Sequence, residues 1–366
     1  MTTLDKTYRI AIVHNKVMPY RRPFFRLISE RHDVDFLIFE EQESPAEKID
    51  VDSVGRRGLF NRLRKEQYDI VLAPDIIFKE AWITIVTSWI NDTPVILWSE
   101  TWDWPNRKLH QKLKTAGLFR VLDYGINGYI VPGNRSKEFI LEHTSADSMD
   151  IRRVPNASHI NKNEHGAGLT KSDIGIPDDE KVVLFLGELS ERKGVHTLLR
   201  ACSLLEQERD DFTMLVCGTG DSEYTERVKT LSDNLGLESV MFYGWVDEAE
   251  IYDVYSLADI YALLSTYDPF PLSVVEAMNA GTPAVVSNGV GEAYDLIRDG
   301  ETGYVVRTGT PRDAANAIDE LLAQDEERQE MANKCRKYIK KQFTYREMIS
   351  RLERMIYHVN QNKLRL

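Results

Sequence analysis

The chain has 366 residues, 46 Lys plus Arg against 58 Asp plus Glu, and a formal net charge of −12. That length accommodates two domains of ordinary size, each with its own core, and the acidic balance argues against general nucleic-acid binding. Three cysteines, Cys202, Cys217 and Cys335, are odd in number and lack metal-ligand spacing, which points to a reducing compartment and no metal.

Met1 is followed by Thr-Thr-Leu-Asp rather than a basic and then apolar run, and the apolar stretch 81–90 is far short of a membrane span. A cytoplasmic chain is expected, with a peripheral position at the cytoplasmic membrane face as the variant of that reading. The charge is uneven. Residues 1–170 carry 24 basic against 23 acidic side chains, leaving 22 against 35 for 171–366. The first half is therefore suited to something more anionic than the second half meets.

In chain order, short β-branched runs at 9–13 and 34–39 flank a helical segment starting after Pro19, a βαβ opening. Further strands are expected at 70–73, 95–98, 128–131 and 152–154. The first domain is thus placed at 1–160. Residues 161–178, poor in apolar side chains and rich in Asn, Lys, Gly, Ser and Asp, read as a linker. A second domain at 179–340 alternates regularly, with strands at 182–186, 212–217, 240–243, 260–264, 283–287 and 304–306 separated by helical stretches. This implies a parallel sheet covered on both faces. Within the terminal segment 341–366, Tyr345, Met348, Ile349, Leu352, Met355, Ile356 and Val359 repeat at helical spacing.

The chemistry concentrates in residues 268–281, Asp-Pro-Phe-Pro-Leu-Ser-Val-Val-Glu-Ala-Met-Asn-Ala-Gly. Pro271 suits the first helical position and Gly281 the residue just past the end. The first amides of that helix, on Leu272, Ser273 and Val274, would face an anion such as a diphosphate. Glu276 leans back toward the same mouth and can accept both hydroxyls of a ribose; Asp268, on the loop before it, can hold sugar hydroxyls. After the strand at 182–186, Gly187 lets the backbone turn, and Lys193 with Gly194 opens the next helix, which puts an ammonium near a helix N-terminus. Gly218 and Gly220 flank Thr219 after a strand, fitting either close backbone approach to a ligand or a tight connection.

At these residues the chain resembles the family-4 (group 1) retaining glycosyltransferases and their Glu-x7-Glu motif, with Asp268 in place of the first Glu. Gly187 and Lys193-Gly194, Gly218 and Gly220, Gly244-Trp245-Val246, and 300–303 follow the family in order, most closely over 150–325. Pro19-Tyr20-Arg21 and Val154-Pro155-Asn156 carry it in the first half. The resemblance implies a GT-B fold, two Rossmann-like doubly wound domains facing a central cleft, and transfer of a hexose from a nucleoside diphosphate sugar with retention, without a cofactor. It implies donor binding by Gly187, Arg192, Lys193, Gly218, Gly220, Trp245, Val246, Asp268, Phe270, Pro271, Leu272, Ser273 and Glu276. Lys193, Asp268 and Glu276 would carry catalysis. Where the family has Gly-Arg this chain has Gly187-Glu188, so Arg192 is expected to supply the second cation. In the resembled fold a terminal helix crosses back to the first domain; packing on the second alone is the alternative.

On the acceptor side, a glycan or lipid-linked acceptor is expected, near His14, Tyr20, Arg21 and Glu100, the last standing where the family often has His. Arg56, Arg57, Arg62, Arg64 and Lys65, and Arg107, Lys108, Lys112, Lys114 and Arg120, form two clusters with no acid inside their spans. They interleave with Leu59, Phe60, Leu63, Leu109, Leu113, Leu118 and Phe119, with Trp102 and Trp104 just upstream of the second. These read either as surfaces for an anionic membrane or as helices with a solvated basic face. Two Asp-Val-Asp triplets, at 33–35 and 50–52, read as chance rather than a metal pair. The competing functional reading is a catalytically silent paralogue serving as a partner subunit, suggested by Glu188 and Asp268. A nicotinamide enzyme is disfavoured because Val13-His14-Asn15-Lys16 lacks Gly-x-Gly-x-x-Gly.

Overall fold

The computed structural model describes residues 6–40, 50–103, 108–166 and 168–363. Contacts divide it into one unit of Met1–His159 with Thr344–Leu366 and a second of Ile160–Phe343. In the first unit, β1 (Arg9–His14), β2 (Asp33–Ile38), β3 (Asp52–Ser53), β4 (Ile70–Ala73), β5 (Val95–Trp98), β6 (Gly128–Val131) and β7 (Ile151–Arg153) form a sheet in the order β3-β2-β1-β4-β5-β6-β7. All its pairings are parallel. In the second, β8 (Lys181–Leu186), β9 (Phe212–Cys217), β10 (Val240–Gly244), β11 (Ile260–Leu263), β12 (Ala284–Ser287) and β13 (Gly303–Val306) follow the order β10-β9-β8-β11-β12-β13, again parallel.

Both sheets therefore reverse strand order once, between β1 and β4 and between β8 and β11. Ligands of open parallel sheets bind at the carboxyl ends of strands beside such a reversal. The strands are near-continuous apolar runs: all four residues of β4, β5, β6, β11 and β12 are buried, as both-face coverage by helices requires.

Expected and observed strands differ by one residue at some ends. The additional β3 is two exposed residues held by backbone pairing to Leu37 and Ile38, and carries no apolar signal. Residues 161–178 do not hang free as a linker. The Asp253 carboxylate accepts from the amides of Gly168 (2.6 Å) and Leu169 (3.0 Å), and Ile176 is buried in the second core.

The terminal helix Tyr345–Lys363 belongs to the first unit. Met348, Ile349, Leu352, Met355, Ile356 and Val359 are buried in one cluster with Ile10, Phe24 and Ile130. Each such burial is worth about 1.5–3 kcal/mol. Arg31 adds a two-pronged pair to the buried Glu353, at 2.5 and 3.0 Å, and Tyr345 donates to the Tyr20 carbonyl at 2.6 Å.

Candidate functional site

In the second unit the chain leaves β8 through the turn Glu191–Lys193 and enters the helix Val195–Leu205. Gly194 joins them at φ 75°, and a Cβ there would lie 2.0 Å from the Leu264 carbonyl oxygen, so glycine is needed on two counts. The turn is thereby pressed against the end of β11, and Lys193 meets the loop that follows that strand. Lys193 Nζ lies 2.5 Å from Asp268 Oδ2, and the Asp268 side chain is 6 % exposed. Arg192 reaches the same oxygen at 3.4 Å, donates to the Tyr267 carbonyl at 3.2 Å, and contacts Glu188 at 3.4 Å.

Asp268 itself is fixed through its backbone. Its N–H donates to the Gly289 carbonyl (3.1 Å) and its carbonyl accepts from Gly291 (2.5 Å). A Cβ on Gly291 would sit 2.1 Å from the Pro269 oxygen, so the approach requires glycine there. Glu292, next in the chain, is fully buried with φ 55°, a left-handed conformation that favours glycine.

The expected helix runs Leu272–Ala280 and ends at Gly281, φ 93°. Pro271 is its N-cap rather than its first helical residue, and the Val274 N–H already donates to the Pro271 carbonyl at 3.2 Å. This corrects the expected set of anion-facing amides: Val274 is spent, and Leu272 and Ser273 are the first-turn groups that precede any intrahelical acceptor. Glu276, half-buried one turn in, accepts from the Tyr255 hydroxyl at 2.9 Å. Tyr255 is fully buried, and burial followed by the Glu276 charge pushes its phenol well above the usual range. Tyr261, which donates to the Leu186 carbonyl at 3.0 Å, is likewise pushed up, first by burial, with Glu276 and Asp268 both contributing. Tyr255, which holds Glu276, packs edge-on against Tyr261 with ring centroids 5.8 Å apart.

The glycines after β9 make the tight connection that was one of the two readings of Gly218 and Gly220. A Cβ on Gly218 (φ 126°) would lie 1.9 Å from the Gly187 oxygen, and one on Gly220 2.0 Å from the Leu189 oxygen. Their close approach is to the neighbouring turn, and Leu189 N–H donates to Thr219 at 2.9 Å across it. Gly187 is the open one, its nearest prospective Cβ neighbour being 3.8 Å away. Trp245 is 70 % exposed and available to stack on a flat ligand, whereas Val246 is buried in the core. Phe270 is spent on packing, its ring centroid 6.3 Å from that of Phe343.

In the first unit, the four residues expected near an acceptor, His14, Tyr20, Arg21 and Glu100, gather at the carboxyl edge of the sheet. Arg21 is 3 % exposed; its guanidinium lies 4.2 Å over the Trp98 ring and 5.2 Å from that of Tyr20, and it pairs with Glu100 at 3.1 Å. Asn156 donates to the same Glu100 oxygen at 3.0 Å. Arg21 Nε and Nη1 and His14 Nδ1 are buried without a hydrogen-bond partner. Burial first and the Arg21 charge second depress His14 to about 3, so its imidazole is neutral at any ordinary pH. Sequence reasoning missed Asp75, which follows β4 and accepts from Glu100 N–H (2.9 Å), Ser99 (3.0 Å) and Thr101 (3.1 Å); burial dominates and raises its carboxyl above the usual range. It also missed Tyr255, Tyr261 and Glu292. Of these only Glu292 left a trace, the flanking Gly-Val-Gly.

The basic clusters are partly neutralised. In the helix Arg56–Lys65, Arg56 binds Glu80 at 2.7 Å and Arg62 binds Asp35 at 3.2 Å, while Leu59 and Leu63 are buried. Trp102 is also buried, under Arg135, and does not face a membrane; Trp104 and Arg107 lie outside the described residues. Leu109 and Leu113 of the helix Leu109–Leu122 are exposed. Asp33 and Asp35 pair with Arg9, and no metal-ligating group of three or more occurs among the described residues. No described helix is long and apolar enough to cross a membrane.

Residues 169–342 match the family model for glycosyl transferases group 1. An uncharacterized glycosyltransferase of Methanocaldococcus jannaschii is 32 % identical over 176 residues, 48 % of this chain and 44 % of that protein. A D-inositol 3-phosphate glycosyltransferase of Corynebacterium aurimucosum is 28 % identical over 297 residues, 74 % of this chain and 68 % of that one. The chain thus spans under half the length of the first relative. Among solved structures, Anabaena HepE in complex with UDP has a TM-score of 0.77 at 17 % identity, covering 96 % of this chain and all of that one. The fold, two parallel-sheet Rossmann-like units, is that of the GT-B glycosyltransferases.

Proposed function

We propose that the protein, whose residues 169–342 match the group 1 glycosyltransferase model, transfers a sugar from a nucleoside diphosphate sugar to a glycan or lipid-linked acceptor, with retention at the anomeric carbon. One observation carries this: Lys193 and Arg192 converge on Asp268 beside the helix that presents Glu276, at the strand-order reversal between β8 and β11. In the bond-breaking step the anomeric C–O bond to the diphosphate is cleaved and negative charge accumulates on the leaving group. Lys193, Arg192 and the first-turn amides of Leu272 and Ser273 supply preorganised positive potential for it. The new C–O bond forms to the acceptor hydroxyl on the same face, and its proton leaves with the departing phosphate oxygen. Glu276, held by Tyr255, accepts the ribose hydroxyls, and Asp268 orients the sugar. HepE was solved with UDP, so uridine diphosphate sugars come first in a donor panel.

The test is donor hydrolysis and transfer by Lys193→Ala and Glu276→Ala, with the product anomer read by NMR. The expected result is a loss of on the order of 100-fold or more in rate for Lys193→Ala, the magnitude of removing one charge-stabilising group. Unchanged rates, or an inverted product, reject the mechanism. Binding without turnover in the parent protein would favour the silent partner subunit instead. The acceptor reading extends to the basic, Leu-studded helix Leu109–Leu122, proposed to touch an anionic membrane. Flotation with anionic liposomes at low salt should carry the protein upward, and failure to associate removes that contact.

A further inference from the structure

In the second unit, the turn Glu191–Lys193 and the loop 266–268 are bound to each other as one clasp. The Thr266 N–H donates to the Arg192 carbonyl at 2.8 Å, its hydroxyl does so at 3.3 Å, and the Arg192 guanidinium donates to the Tyr267 carbonyl at 3.2 Å. Lys193 and Arg192 are thereby carried to Asp268, and both end on its Oδ2, at 2.5 and 3.4 Å. The acid has little room to retreat, because its side chain is short and its own N–H and carbonyl are tied to Gly289 and Gly291. Glu188 takes Arg192 as well, at 3.4 Å.

Two cations therefore meet two acids in one cluster, and the charges of these four groups cancel. A cation paired at contact distance keeps its N–H donors but loses most of its field, because the opposite charge beside it offsets the attraction felt by a third group. A diphosphate must then compete with Asp268 and Glu188 for Lys193 and Arg192. The competition matters most at the end of transfer. A nucleoside diphosphate freed of its sugar carries more negative charge than the sugar ester did, and it would adhere to cations without a counter-charge more tightly than the substrate does. Exposure ranks the two acids: the Asp268 side chain, 6 % exposed, is little screened by solvent, and that of Glu188, 60 % exposed, is largely screened.

We propose that Asp268, assisted by Glu188, is a built-in counter-ion that competes with the diphosphate for Lys193 and Arg192, and so keeps the affinity for the departing nucleoside diphosphate low enough for its release. The inference rests on the donor reading of this site and adds what limits the site's grip. It gives Asp268 a second role besides orienting the sugar. It also gives substitution here an uncommon sign, since removing an acid that belongs to the site strengthens product binding.

Titration calorimetry of the full chain with uridine, guanosine and adenosine diphosphates compares the parent with Asp268→Asn and Glu188→Gln. The diphosphate that the parent binds should bind roughly tenfold more tightly to Asp268→Asn, the scale of a close charge pair. To Glu188→Gln it should bind roughly two- to fivefold more tightly, the scale of an exposed pair. In a Lys193→Met background the gain from Asp268→Asn should shrink, since the cation it frees is gone. A gain of undiminished size there reflects removal of negative charge in general and overturns the proposal, as does an affinity in Asp268→Asn equal to or below the parent's. Glu188 is exposed, so Glu188→Gln decides if Asp268→Asn fails to fold: a gain upholds the competition for Arg192, and no gain overturns it. The two readings fail separately. Binding by the parent that Asp268→Asn leaves unchanged removes the counter-ion alone, whereas no diphosphate bound by the parent or by either variant removes the donor site and the counter-ion with it.

Discussion

Tyr255 is a single buried hydroxyl that positions Glu276 from behind. Its O–H to Glu276 fixes one carboxylate oxygen, and the fully buried ring braces edge-on against Tyr261 at 5.8 Å. A hydrogen bond to a charged group is worth about 1.5–3 kcal/mol. Tyr255→Phe should therefore weaken nucleoside diphosphate binding by roughly tenfold, measured by titration calorimetry, while far-UV circular dichroism stays unchanged. Equal affinity would show that Glu276 is positioned by other means. Sequence alone gave Glu276 from its place in the helix but not Tyr255, because the pairing joins residues 21 apart in different elements. The same limit hid Asp75, whose partners Ser99, Glu100 and Thr101 arrive from the end of another strand.

At the level of elements, the second sheet was readable because apolar runs alternate with helical periods. The glycine turns were readable in position, with their purpose left open between ligand approach and a tight connection. Gly218 serves the packing of one βα turn on another, since its Cβ would strike the Gly187 carbonyl, while a Cβ on Gly187 would meet only Phe185 Cζ in an ordinary contact at 3.8 Å. The two glycines should thus respond oppositely. Gly218→Ala combines a forbidden backbone conformation with a clash against main chain and is expected to destabilise by about 2–4 kcal/mol. Gly187→Ala should shift stability by less than about 1 kcal/mol. Denaturant melts of both variants check this, and equal effects would contradict it. Pro271 teaches a similar lesson: the residue was right and its helical position was off by one, because ψ at Pro271 is 104° and the first helical bond pattern tightens at Val274.

On the scale of the whole molecule, the first unit is assembled from two separated stretches of chain. Its cluster around Ile10, Phe24 and Ile130 is completed by six buried residues of the helix Tyr345–Lys363, and Gly128 is the glycine that admits that helix: a Cβ there would lie 2.1 Å from Met355 Cε. Deleting 344–366 should unfold the first unit and leave the second protected, because Phe343 ends the second unit's own contacts. Limited proteolysis followed by mass spectrometry should recover a fragment near 160–343 from the truncated chain. Intact protection of both units would contradict the assignment of that helix.

The sequence by itself determined the alternating parallel sheets, the glycine-bounded helix that carries Glu276, and the lysine after β8, because these depend on local periodicity, turn stereochemistry and helix termini. Only tertiary structure decided which groups meet: that Lys193 and Arg192 close on Asp268, that Tyr255 holds Glu276, that Trp102 is buried, and that the terminal helix joins the first core. Those outcomes follow from packing and charge pairing between residues tens to hundreds of positions apart, and no local pattern in a single chain encodes such distances.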